Sequence, residues 1–360
     1  MNLQILNNTT DKIIEHSADR PTKRIMMDNS ADQIILAKSA LILNQMQKKM
    51  SLGADGLEIQ LLGELIDTPH TFKNYEEAFP DFDKLLEIPV YSIHAPLVNY
   101  IKALNKKEQQ KLNISCNIEQ LTHAEYKELF RQIFRMAQAF ANHQKHRVNI
   151  VVHTEINFTL LTTIYINIYN NIRDCINELL SQFKDVDICI ENVSPVRAFN
   201  KQEKYVRLGN NFGFDGIELV KQLRKDLSKG VDTNESNRVF NTFDTCHAEV
   251  TNRFMGMLSL FYPGKINIKE YELHEYFQKY AETTRIVHLS ITRGNGVGNK
   301  SHGQPFKTAD DKQTAEYYIS ELKRTKFSAY YVLEVAEEDY DTSDGFASSE
   351  KIIRKILSET

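Results

Sequence analysis

Eight ionisable side chains stand where short apolar runs of this sequence end. His94 closes VYSIH, His153 closes VNIVVH and Glu191 closes VDICIE. Asp244 closes VFNTFD, with His247 three residues on. His288 lies in RIVHLS, His302 in the stretch that follows, and Glu334 in YYVLEV. Five of the 11 histidines fall at these positions, which is more than scattered structural histidines would place there. Taken singly, each group has an ordinary explanation in a hydrogen bond or a salt bridge to a neighbouring strand. Taken together, three carboxylates and several imidazoles facing one rim would repel or be badly desolvated without a counter-charge. A divalent metal supplies it. A mixed His and carboxylate set suits Zn first, with Mn, Fe or Co as alternatives, over Ca or Mg.

The elements that would bring these groups together alternate along the chain. Candidate strands are 24–29, 56–62, 90–95, 147–154, 186–192, 239–245, 285–291 and 330–336. They are rich in Val, Ile, Leu and Tyr, as strands buried on both faces are. Helix-like segments lie between them: Ala31 to Lys49, Glu125 to Asn142, Leu160 to Phe183, Phe214 to Leu227, Ile268 to Glu282, Lys312 to Lys323 and Glu350 to Ser358. A weaker one, near Tyr75 to Glu87, is interrupted by Pro80. This alternation predicts an α/β fold, a single-domain (β/α)8 TIM barrel over residues 23–360 after an N-terminal extension, 1–22. Such a barrel gathers the C-terminal ends of all its strands around one mouth.

Two connections are long, 98–124 after the third strand and 193–212 after the fifth, and both belong to the same face. The second carries Arg197, Lys201, Lys204, Tyr205 and Arg207, which suit either an anionic substrate or a solvated charged loop. Glu58, at the end of the second strand, could touch substrate, but pairing with a barrel neighbour is the reading favoured. The glycines at 294, 296 and 298 follow the seventh strand and lack dinucleotide-binding spacing. Neither GxSxG nor a Walker-type lysine loop is present.

Composition is that of an ordinary globular protein, 41% hydrophobic and 26% charged over 360 residues. The scattered Cys116, Cys175, Cys189 and Cys246 form no CxxC pair and read as reduced core thiols. No run approaches the roughly 20 apolar residues of a membrane span, and the polar start lacks a signal peptide's apolar centre. The expected location is cytoplasmic, with no membrane partner. A net charge of −4 gives no general pull on nucleic acid. It leaves nucleic acid compatible as a partner, because metals and local Lys/Arg loops supply positive charge where needed. Oligomeric state is not legible.

YSIHAPLVNYI (91–101), IENVSP (190–195), FDTCHA (243–248), VHLS (287–290) and VLEVAEED (332–339) resemble the metal motifs of the xylose-isomerase-like barrel superfamily, AP endonuclease family 2. Within it the pattern is most similar to endonuclease IV. The motifs run through about two-thirds of the chain, and FDTCHA and SIHAP are the specific ones. The resemblance implies three metals in the mouth. His94, His153 and Glu191 would hold the first. Glu191 would bridge to a second, held also by Asp244, His288 and Glu334. The third would take His247 and His302. Where the family has an Asp two residues before that last His, this sequence has Lys300, a positive charge where the third metal would sit.

Two activities follow. The first is a metal-dependent hydrolase, a phosphodiesterase of endonuclease IV type, in which two metals activate a water and stabilise the leaving oxygen. The extra histidine pair motivates it. The alternative is a sugar or polyol isomerase or epimerase, with Glu191 and Glu334 moving a proton between adjacent carbons while His247 and Arg293 hold hydroxyls. The loop over 294–306 resembles those of sugar isomerases and favours this alternative. On either reading Glu191, Glu334 and His247 are the catalytic candidates, and Arg293 and Lys300 the substrate-binding ones. A catalytically dead binding barrel is the third class, and the retention of the ligand set speaks against it.

Overall fold

The computed structural model describes residues 34–68, 71–100, 112–154, 163–194, 196–200, 205–208, 214–228, 237–293 and 302–359. Its centre is a closed barrel of eight parallel strands. In chain order these are β1 (Ile35–Ala40), β2 (Gly56–Gln60), β3 (Val90–His94), β4 (Val148–His153), β5 (Val186–Glu191), β6 (Val239–Asp244), β7 (Thr284–Leu289) and β8 (Tyr330–Leu333). Each strand pairs with its sequence neighbours, and β1 closes the ring against β8.

Seven of the expected strands are found in place. The barrel's first strand, however, is Ile35–Ala40, not 24–29, a segment outside the described residues along with the expected boundary at residue 23. The helix expected over Ala31 to Lys49 is accordingly only α1 (Leu43–Ser51). Ile35, Leu36 and Ala37 are all fully buried, so this stretch is covered on both faces, as a barrel strand must be and a surface helix cannot.

The outer helices α2 (Ala124–Gln144), α3 (Thr163–Gln182), α4 (Asp215–Leu227), α6 (Leu273–Tyr280), α7 (Ala309–Arg324) and α8 (Asp344–Glu359) lie close to the expected segments. One helix was not expected, α5 (Thr245–Phe261), directly after β6. The long connections after β3 and β5 contain antiparallel pairs, Leu97–Tyr100 with Leu112–Ser115 and Val196–Asn200 with Tyr205–Leu208. Of the cationic residues noted on the second loop, Lys201 and Lys204 lie outside the described residues, while Arg197 and Arg207 fall on its two antiparallel strands. Among the described residues no helix is long and apolar enough to cross a membrane.

Side chains alternate across each strand, and the alternation builds the site. Outward residues such as Ile35, Ile150, Ile188, Ile190 and Val287 join the large core under the helices. Inward residues form layers. Leu36, Val151, Cys189, Ile286 and Val332 make a separate apolar cluster inside the barrel. Each is two residues before a polar inward side chain, namely Lys38, His153, Glu191, His288 and Glu334. The polar layer therefore rests on an apolar plug that closes it from below. Burying each aliphatic plug residue contributes about 1.5–3 kcal/mol. All four cysteines are buried and free, as expected.

Candidate metal centre

Strand register sets the groups side by side. His153 is paired with Glu191, and Asp244 with His288. Around these the barrel collects two groups that share Glu191. His94, His153 and Glu191 form one; Glu191, Asp244, His288 and Glu334 form the other. Within each group the candidate ligand atoms lie within 4.8 Å of one another.

Both His94 Nε2 and His153 Nε2 point at Glu191 Oε2, at 3.0 and 3.3 Å. His94 Nδ1 bonds the carbonyl of Ala95 at 2.8 Å, which orients the ring and directs Nε2 inward. On the other side His288 Nδ1 is 2.7 Å from Glu334 Oε2, 3.5 Å from Glu191 Oε1 and 3.8 Å from Asp244 Oδ2. The opposite ring nitrogen, Nε2, is 3.0 Å from Glu58 Oε1. Ser92 Oγ donates to the other Glu58 oxygen at 2.8 Å.

Asp244 divides its two oxygens. Oδ1 accepts from His247 N at 2.6 Å and caps α5, while Oδ2 faces the site. Asn192 fastens the end of β5 to β6, donating to Asp244 O at 2.9 Å and accepting from Asp244 N at 2.6 Å. Its carbonyl accepts from His247 Nδ1 at 2.7 Å. His302 is carried over the mouth by Gly303, whose φ of +69° favours glycine, and Gly303 O accepts from Ala336 N at 2.6 Å.

The fit to a cation is seen in what the buried atoms lack. His153 Nε2, Asp244 Oδ2, His288 Nδ1, His302 Nε2 and Glu334 Oε2 are buried and make no hydrogen bond. His288 Nδ1 nevertheless faces Glu334 Oε2 and Asp244 Oδ2, His302 Nε2 faces Asp244 Oδ2, and His153 Nε2 faces Glu191 Oε2, across 2.7 to 3.8 Å. Buried polar atoms without partners are costly and rare. Lone pairs converging without hydrogen-bond geometry are the arrangement of ligands around an ion, so the residues present fit a divalent metal.

The electrostatics set the histidines apart: burial would lower His288, but in the metal-free chain Glu58, Glu191 and Glu334 outweigh it and raise the ring well above its ordinary value. Burial lowers His153 to about 4 despite the nearby Glu191 charge, so its imidazole is neutral and ready to coordinate. Burial would raise Glu191, but His153 and His288 outweigh it and hold the carboxyl well below the usual range. The same contest, won by Lys38 and His288, lowers Glu334. Burial would lower His247, yet Asp244 and Glu191 raise it to about 9.

Of the other predicted residues, His247 has its ring centroid 4.8 Å from that of His302. The group that includes His302, however, is completed by Asp244 and Cys246. Arg293 instead hydrogen-bonds Asp311 at 2.7 Å beside the start of α7 and joins neither shared group. Lys300 lies outside the described residues. Sequence reasoning missed Lys38, Asn192 and Cys246. It favoured a barrel partner for Glu58, and the structure supplies one in His288.

No protein-family profile matches the chain, and no curated protein matches it. Among solved structures it is similar to 3-keto-D-glucoside 4-epimerase YcjR from E. coli, at 13% identity over 91% of this chain and 98% of that one, with a TM-score of 0.44. It is similar to a D-tagatose 3-epimerase-like protein at 14% identity over 90% and 97%, TM-score 0.48. It is also similar to the IOLI protein with a bound zinc atom, at 16% identity over 91% and 98%, TM-score 0.49. The chain itself folds as a (β/α)8 barrel.

Beside Glu334 the mouth opens into a cavity of about 400 Å³, lined among others by Lys38, Gln45, Gln60, His302, Glu334 and Tyr340.

Proposed function

We propose that this chain is a divalent-metal-dependent isomerase or epimerase of a small sugar-type substrate, built on the xylose-isomerase-like barrel. The observation that carries this reading is that Glu334 belongs both to the four-residue group with Glu191, Asp244 and His288 and to the wall of the adjoining cavity. About 400 Å³ suits a monosaccharide and falls in the range of small-molecule sites. The named wall residues offer amides, a phenol and an imidazole, which hydrogen-bond hydroxyls. The one cation named on that wall, Lys38, is already engaged with carboxylates.

Glu191, Asp244, His288 and Glu334 would hold the metal, which would polarise a substrate carbonyl and acidify the neighbouring C–H. Glu191 and Glu334, both kept ionised, are the candidate bases: either would take the C–H proton and, then carrying it, hand it back to the same or the neighbouring carbon. The buried apolar plug beneath them and the cavity wall limit water around the exchange. The test is incubation of the metal-loaded protein with a panel of ketoses and aldoses in D₂O. Deuterium at a carbon adjacent to the carbonyl supports the reading; its absence across the panel, with cleavage of abasic DNA instead, rejects it.

One observation favours a second reading. His94 and His153 with Glu191 form a second ligand group sharing a carboxylate with the first, which is what a two-metal phosphoesterase requires. Metal stoichiometry separates the two: one tightly held ion per chain supports the isomerase, two or three the hydrolase.

A further inference from the structure

Lys38 is a largely buried cation on β1, 10% exposed, that none of the expected motifs includes. Its Nζ lies 2.7 Å from Glu334 Oε1 and 3.5 Å from Glu58 Oε1. Glu58 Oε1 lies 3.0 Å from His288 Nε2, and His288 Nδ1 lies 2.7 Å from Glu334 Oε2. These contacts close a ring through β2, β1, β8 and β7, which are consecutive around the barrel. In it each cationic or imidazole group stands between two carboxylates.

We propose that Lys38 is a positioning residue that divides the Glu334 carboxylate, holding Oε1 as an ion-pair acceptor so that Oε2 alone faces the ligand cluster. The proposal rests on the metal-centre reading and deepens it. A carboxylate free to turn can bind a cation through both oxygens and take up two coordination positions. With Oε1 held by an ammonium, Glu334 takes up one. A bound metal would then keep a position for a substrate oxygen from the cavity, whose wall Lys38 and Glu334 share. Glu58 performs the matching task for His288, fixing one ring nitrogen so that the other faces inward. The two devices meet at Lys38.

The test uses the full chain stripped with a chelator and titrated with Co²⁺, whose visible absorption reports coordination number and geometry. Lys38→Met should change the shape of the visible band, because the freed Glu334 carboxylate would add a second oxygen ligand, and should tighten Co²⁺ binding several-fold, because a positive charge beside the site is lost. Lys38→Arg, which keeps a cation within reach of Oε1, should restore both. Lys38→Gln replaces Lys38→Met under the same criteria if circular dichroism shows the latter unfolded. A neutral variant that binds Co²⁺ with wild-type affinity and an unchanged spectrum overturns the proposal. A wild-type chain that binds no Co²⁺ overturns the metal-centre reading itself. No substrate enters the experiment, so failure of the sugar-isomerase reading leaves its outcome intact.

Discussion

His288 Nε2 lies 3.0 Å from Glu58 Oε1, on the side of the ring away from the ligand cluster. Both residues are fully buried, and Ser92 holds the other Glu58 oxygen. Glu58 thus fixes the ring orientation that points Nδ1 at Glu334 and Asp244. Removing such a supporting carboxylate typically costs 10–100-fold in metal affinity. Glu58→Gln is therefore expected to weaken metal binding by about that factor while the barrel stays folded, as competition with a chromogenic chelator would measure.

Asp244→Asn separates folding from metal binding. Asn caps a helix about as well as Asp, so the bond to His247 N and the start of α5 should survive. The charge facing His288 and His302 is lost. Metal content and activity should fall sharply, with a melting temperature in chelator within a few degrees of wild type. An Asp244→Asn protein with full metal content and rate would mean that this side chain is not a ligand.

The metal-free chain should have a pH optimum of stability. His247 is raised to about 9 from 6.5, so its contribution is fully present below pH 6.5 and is lost as pH rises through 9. His153 is lowered to about 4, so the stability linked to its neutral form is present above pH 6.5 and is lost as pH falls through 4. The lowered carboxyls of Glu191 and Glu334 add to the loss on the acid side. Urea unfolding of chelated protein across this range should show both slopes, and His247→Gln should flatten the alkaline one.

Leu36→Ala tests the plug beneath the site. Leu36 is fully buried and packs with Val151, Cys189, Ile286 and Val332. The cavity created should cost about 2–5 kcal/mol in denaturant unfolding. Metal affinity should change far less, because no ligand is touched.

Much of this was legible because the barrel writes its inward face at every second residue. Asn149, Val151 and His153, or Asp187, Cys189 and Glu191, each show a ligand at the mouth end of an otherwise buried strand. Lys38 escaped because ILAKSA is composed largely of good helix formers and runs into a true helix. Only burial on both faces makes it a strand. Helix α5 escaped for a different reason. Leu260 and Phe261 are 81% and 72% exposed, so its far end shows no polar stripe from which to read a helical period. Asn192 was visible beside Glu191, but its two bonds to Asp244 depend on β5 and β6 being neighbours. Arg293, read from the sequence as a substrate-binding candidate, hydrogen-bonds Asp311, a partner that only the folded chain reveals.

The central claim is that Glu191, Asp244, His288 and Glu334 converge to hold a divalent ion. Elemental analysis of the protein purified without added metal, beside Glu191→Gln, tests it most directly. The account predicts a tightly held divalent transition metal in the wild-type chain, one per chain for an isomerase, and its loss in the variant. A wild-type protein that carries no such metal, and whose melting temperature does not move when Zn²⁺, Mn²⁺ or Co²⁺ is added, would contradict it.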